Sequence, residues 1–174
     1  MKFLFLLGLL SFGVNAQAIY PVTCQGADLI ANTGLKIYQF TFYSECQEAL
    51  SESRLNQGRF CDDERLINAN GRMVHQFTFR SECQEAQGQL RNSRYGLFCD
   101  DGDMIQLRRG RIADFTFESN CMAALGEAAK YKGLFCREGL MMNYRGESLR
   151  DYTFRSSCQE ALRLLSENKV DRAH

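Results

Sequence analysis

The sequence predicts an α+β protein: four tandem ββα units of about 37–38 residues, each a hairpin plus a helix stapled by one disulfide, packed into one domain. Three observations carry this. The phrase QFTFYSECQEA at Gln39 returns as QFTFRSECQEA at Gln76, DFTFESNCMAA at Asp114 and DYTFRSSCQEA at Asp151. The 8 cysteines fall into four pairs, each with a separation of 22: Cys24 with Cys46, Cys61 with Cys83, Cys99 with Cys121, and Cys136 with Cys158. Glycine turns and apolar residues recur at matching offsets in all four units.

Before the first unit, Met1 and Lys2 form a short positive region, and Phe3 to Phe12 is apolar apart from Gly8 and Ser11. Small residues follow. This pattern predicts a signal peptide over 1–16, cut after Ala16 or Ala18. The apolar run is about half the length needed to span a bilayer. The repeats are then expected at 19–58, 59–96, 97–133 and 134–174.

Each unit opens with a cysteine and a short apolar stretch at Leu29, Leu66, Met104 or Leu140. A turn follows at Gly34, Gly71, Gly110 or Gly146; Asn70-Gly71 is the strongest, because both residues tolerate positive φ. The Phe-Thr-Phe segment comes next, with Tyr152 for the first Phe in unit four. Aromatics flanking a β-branched residue predict a strand with both rings on a buried face and Thr41, Thr78, Thr116 and Thr153 on the other. Ile37, Val74, Ile112 and Leu149 are out of phase with those rings, which points to a bulge or a sheet covered on both faces.

Ser44, Ser81 and Ser156 each precede a Gln by three positions, the pattern of a capping box at a helix start; Ser119 has Met122 there instead. From each second cysteine, apolar residues recur at helical spacing, as in Cys158, Ala161, Leu162 and Leu165. Gly58, Gly96 and Gly133 stand where a helix end takes a left-handed residue.

This layout selects the disulfides. The returning strand brings the helix start beside the first cysteine, so pairing within each unit needs no distortion. The rival pairing of Cys46 with Cys61 must span a helix that carries the chain roughly 16 Å away. In the chain-entropy account each within-unit loop contributes about 3.4 kcal/mol. One unit is too small to bury its own apolar face, so the four pack together; sequence alone does not separate an open array from a closed ring.

Composition narrows function. An even cysteine count behind an export signal predicts a secreted or periplasmic chain, on the oxidising side of a membrane. No two cysteines lie closer than 15 positions, so no zinc site is expected. Basic and acidic residues balance at 21 each, which argues against nucleic-acid binding. No later segment is apolar enough to cross a membrane, and no cofactor motif is present.

Catalytic groups are scarce. There are 2 histidines: His174 ends the chain, and His75 is read as an ordinary strand residue. Paired cysteines leave no thiol nucleophile. Asp62, Asp63 and Glu64, and Asp100, Asp101 and Asp103, read as solvated loops without the spacing of a calcium site. Arg72, Arg108, Arg109, Arg111 and Arg145 cluster at the glycine turns, and arginine suits planar anions. The sequence therefore points to a non-enzymatic binding or cell-envelope protein that recognises an anionic ligand, a glycan or a partner protein through those arginines. The alternatives are a small extracytoplasmic hydrolase using the carboxylates of units two and three, Asp100 and Asp101 among them, and a secreted inhibitor or effector.

Overall fold

The computed structural model describes residues 22–167. The signal segment, its cleavage sites and His174 lie outside the described residues. Unit one comprises β1 (Val22–Gln25), β2 (Asp28–Ala31), β3 (Lys36–Gln39) and α1 (Tyr43–Leu55). Unit two comprises β4 (Phe60–Asp62), β5 (Arg65–Ile67), β6 (Met73–Gln76) and α2 (Arg80–Asn92). Unit three follows as β7 (Leu97–Asp100), β8 (Asp103–Gln106), β9 (Gly110–Asp114) and α3 (Glu118–Lys130). Unit four is β10 (Leu134–Arg137), β11 (Leu140–Asn143), β12 (Ser148–Asp151) and α4 (Arg155–Glu167).

The expected hairpin and helix are present in every unit, with one strand more: the first cysteine itself lies on a strand that pairs antiparallel with the next. Two-residue turns join these strands, and their first residues, Gly26, Asp63, Asp101 and Glu138, have positive φ. In three of the four units a side chain, rather than glycine, bears that left-handed backbone, which hid the turn from sequence patterning.

The second turns keep the expected glycines, with φ of 80° at Gly34 and 73° at Gly71. The four out-of-phase residues are the bulges themselves. Leu29 pairs with Tyr38 and Ile30 with Lys36, leaving Ile37 as the extra residue. Val74, Ile112 and Leu149 take the same place in the other sheets.

The Phe-Thr-Phe segment departs from expectation. Each last strand ends before it, so its rings do not share a buried face. Phe77 is 5% exposed, whereas Phe42, Phe79, Phe117 and Phe154 are 62–66% exposed. The helix starts differ as well. The helices begin one residue before each serine, so Ser44 and Ser81 sit inside the first turn and make no cap hydrogen bond. Instead Glu45 Oε2 accepts the amides of Thr41 and Phe42, both at 3.0 Å, and Glu82 does the same for Thr78 and Phe79. At the other end, Gly58 and Gly133 donate their amides to Ser53 and Ala128 carbonyls at 2.8 and 2.7 Å, closing the helices as expected.

All four disulfides are formed within units, as the layout predicts. Cys24 is bonded to Cys46, Cys61 to Cys83, Cys99 to Cys121 and Cys136 to Cys158, with Cα–Cα separations of 6.0–6.1 Å. In each pair the first cysteine lies on the opening strand and the second in the first turns of the helix: Cys46 on α1, Cys83 on α2, Cys121 on α3 and Cys158 on α4. These four helix cysteines are fully buried, so each bond pins its helix to its own sheet from inside the core. Each of α1, α2 and α3 also packs on the first strand of the next unit. No comparable packing joins α4 to β1 among the described residues, so the units form an open array. The joint is aromatic: Phe60, Phe98 and Phe135, each fully buried, insert into the core of the preceding unit. Burying such a ring is worth roughly 1.5–3 kcal/mol. In unit one the same position is Thr23, which is exposed, because no described unit precedes it.

Candidate functional site

The five arginines singled out by the sequence have different surroundings. Arg111 reaches back along its sheet to Asp103, at 3.2 Å. Arg145 lies over the Tyr144 ring at 5.5 Å and donates to its hydroxyl at 3.2 Å; that bond, with Glu147 nearby, raises the guanidinium pKa further. Arg72 stands beside Leu35 and Lys36, at the contact between the turns of units one and two. Arg72, Arg108 and Arg109 have no carboxylate partner among the described residues.

Of the five, Arg108 enters a shared site. A depression of about 450 Å³ gathers Arg59, Arg94 and Arg108 with Tyr95 and Tyr144, and no Asp or Glu lines it. Arg59 and Arg94 sit in the links that lead from α1 to β4 and from α2 to β7. Tyr95, in the link from α2 to β7, stacks at 4.9 Å on Tyr144 of unit four at its edge. Arg94, like Arg108, has no carboxylate partner among the described residues.

Beside it lies a second feature, made by what three positions lack. Between α1 and α2 the interhelical space is closed by a polar network. Asn56 Nδ2 donates to Gln87 Oε1 at 2.9 Å, Gln87 Nε2 donates to Glu52 Oε2 at 3.0 Å, and Arg91 donates to Asn56 Oδ1 at 3.0 Å. Counted from Cys83 and Cys121, the matching positions between α2 and α3 are Ser93, Leu125 and Ala129. None of these reaches across, and a cavity of about 630 Å³ opens there, its wall including Gly88, Gly126, Leu97, Met122 and Leu125. Between α3 and α4 the positions are Tyr131, Leu162 and Ser166, around a smaller space of about 280 Å³.

Gln89 lines the large cavity beside Glu85, Asn92, Ser93 and Arg94. Its Oε1 accepts the Cys99 amide at 2.7 Å, while its Nε2 is buried with no acceptor among the described residues. The matching residues at the other two junctions, Glu52 and Glu127, carry acceptors only. The cavity and the basic depression meet at Ser93, Arg94 and Tyr95, which line both.

Several other titratable residues join units. His75 Nε2 lies 2.7 Å from Asp100 Oδ2, wedged edge-on against Phe77 and Phe98, so His75 is more than a strand filler. Tyr38 donates to Asp62 Oδ2 at 2.6 Å across the first junction. Glu118 faces Glu82, Glu85, Asp100 and Asp101 around a pocket of about 190 Å³; desolvation, then these carboxylates, raise its pKa. Among the described residues no group of three or more His, Cys, Asp or Glu side chains is set to hold a metal ion, and no helix is long and apolar enough to cross a membrane.

No family model, no curated protein and no solved structure matches the chain at a meaningful level of similarity.

Proposed function

We propose that this protein is an extracytoplasmic, non-enzymatic binding protein that takes an anionic ligand at the depression lined by Arg59, Arg94 and Arg108. Four intra-unit disulfides support the location, since such bonds persist in oxidising compartments. The observation that carries the ligand's sign is the convergence of three arginines, from three separate links and turns, on a surface without a carboxylate. Balanced overall charge makes this local excess a property of the site rather than of the chain.

The test is retention of dextran sulfate, a generic polyanion, by the secreted protein over a salt series. Arg94→Ser with Arg108→Ser removes two cations that pair with no carboxylate among the described residues. Salt-dependent binding that falls about tenfold or more in this variant, with unchanged thermal unfolding, supports the reading. Equal binding by both proteins overturns it, as does the absence of binding by the native chain.

A further inference from the structure

We infer that the ligand is an anionic amphiphile, its apolar tail lying in the cavity between α2 and α3 and its charged head in the basic depression. This rests on the anion-binding reading above and names the ligand's chemical class.

The adjacency is the first argument. The apolar cavity and the arginine-lined depression share Ser93, Arg94 and Tyr95, so one molecule passing over this segment meets apolar walls on one side and guanidinium groups on the other. The shape is the second. A volume of about 630 Å³ is ordinary for a small-molecule pocket, and these pockets combine apolar walls with a few convergent polar groups. Here the polar groups include the Gln89 amide, a donor lacking an acceptor among the described residues, and Arg94 at the mouth, with Glu85, Asn92 and Ser93 also on the wall.

The third argument comes from the repeat. The same space one junction earlier is closed by Asn56, Gln87 and Arg91, so the fold does not require an opening there. The opening follows from Ser93, Leu125 and Ala129, together with mid-helix Gly88 and Gly126. A glycine inside a helix costs about 1 kcal/mol relative to alanine, and nothing lies within 4 Å of where a Cβ would stand at either position. Packing therefore does not demand these glycines, whereas an occupant of the cavity does.

The amphiphile must carry a negative head, since the depression holds three arginines and no carboxylate. A phosphate or a carboxylate head meets that requirement equally, from a free surfactant-like acid or from a single-chain lipid.

The test is calorimetric titration of the intact secreted protein with dodecyl phosphate below its micellar concentration, against butyl phosphate and dodecyl maltoside. Saturable one-to-one binding of dodecyl phosphate, with both comparators weaker by about tenfold or more, is the expected result. Gly126→Leu fills the cavity without crowding its helix, so it should weaken dodecyl phosphate about tenfold and leave butyl phosphate unchanged. Ala129→Arg, which restores the side chain found at Arg91, serves as a second filling variant if Gly126→Leu alters the unfolding profile. Equal affinity for the two alkyl phosphates, or no loss in either filling variant, overturns the tail site. Equal affinity for the phosphate and the maltoside overturns the head site. Binding of dextran sulfate without binding of dodecyl phosphate sinks the amphiphile and leaves the anion reading standing. Dodecanoate and a lysophospholipid then separate the two sources of the head.

Discussion

Gln89 Oε1 accepts the amide of Cys99 at 2.7 Å, across the boundary between units two and three. Glu52 does the same for Cys61 at 2.7 Å, and Glu127 for Cys136 at 2.8 Å. Each of these cysteines is thus tied twice. Its sulfur joins its own helix, at Cys83, Cys121 or Cys158, and its amide joins the helix before. Leu164 holds the matching position in unit four, where no further strand follows among the described residues.

Glu52→Ala leaves the Cys61 amide without this acceptor at the junction. The expected cost is about 1–3 kcal/mol, the range for stranding a desolvated donor. Glu52→Gln should cost less, because Gln89 shows that an amide oxygen serves the same bond. Urea denaturation of the three proteins decides; a Glu52→Ala midpoint equal to wild type refutes the joint.

The two phenylalanines of one phrase should behave as different residues. Phe77 packs against His75 at 4.7 Å and Phe98 at 5.9 Å, while Phe79 stands mostly in solvent. Phe77→Ala is expected to cost about 3–5 kcal/mol. Phe79→Ala should stay within about 0.5 kcal/mol of wild type. Thermal unfolding of the pair reads the contrast, and similar losses at both positions would contradict the placement of the rings.

The repeat is what made the fold legible. A cysteine spacing or an out-of-phase Ile37 means little once, but four copies turned both into structure, as disulfides and as bulges. Features that depend on a single backbone choice were not legible. Asp63, Asp101 and Glu138 adopt positive φ where patterning expects glycine, which concealed a third strand in units two, three and four. The cap shifted because Glu45 reaches back to two amides, a task that the neighbouring serine–glutamine spacing assigned to other residues. At the site, Arg108 was visible as a turn arginine, but Arg59 and Arg94 belong to links whose meeting depends on how units stack. The cavity needed that stacking too, since it consists of side chains missing from Ser93, Leu125 and Ala129 rather than of any motif.

Tyr38 makes the first junction sensitive to alkali. Burial, then the hydrogen bond to Asp62 and its charge, push the hydroxyl from 10.0 up to about 12. The folded value lies above the unfolded one, so the contribution is fully present below pH 10 and is lost as pH rises through 12. Wild type should therefore lose more stability than Tyr38→Phe between those limits. Tyrosinate absorbance should show one late-titrating group that the variant lacks. Parallel stability curves would rule out this linkage.

Glu118 works in the opposite sense at neutral pH. Its position is held by Arg80 in unit two and Arg155 in unit four, which lie 3.7 Å from Glu52 and Glu127. Unit three instead places a carboxylate beside Glu85, Asp101, Asp100 and Glu82, and desolvation adds to their repulsion. The folded pKa is raised above 4.5, so the favourable contribution is complete below that value and is lost as pH climbs through the raised one. At pH 7 the ionised group is a net cost, small because the residue is exposed and solvent screens it. Glu118→Gln should raise the midpoint of thermal unfolding at pH 7 by no more than a few degrees. Glu118→Arg should raise it further, by restoring the cation of the sister junctions. Both gains should vanish near pH 3, where the carboxylates are protonated, and shrink in molar salt. A gain that persists at pH 3 would assign the effect to helix propensity instead of charge.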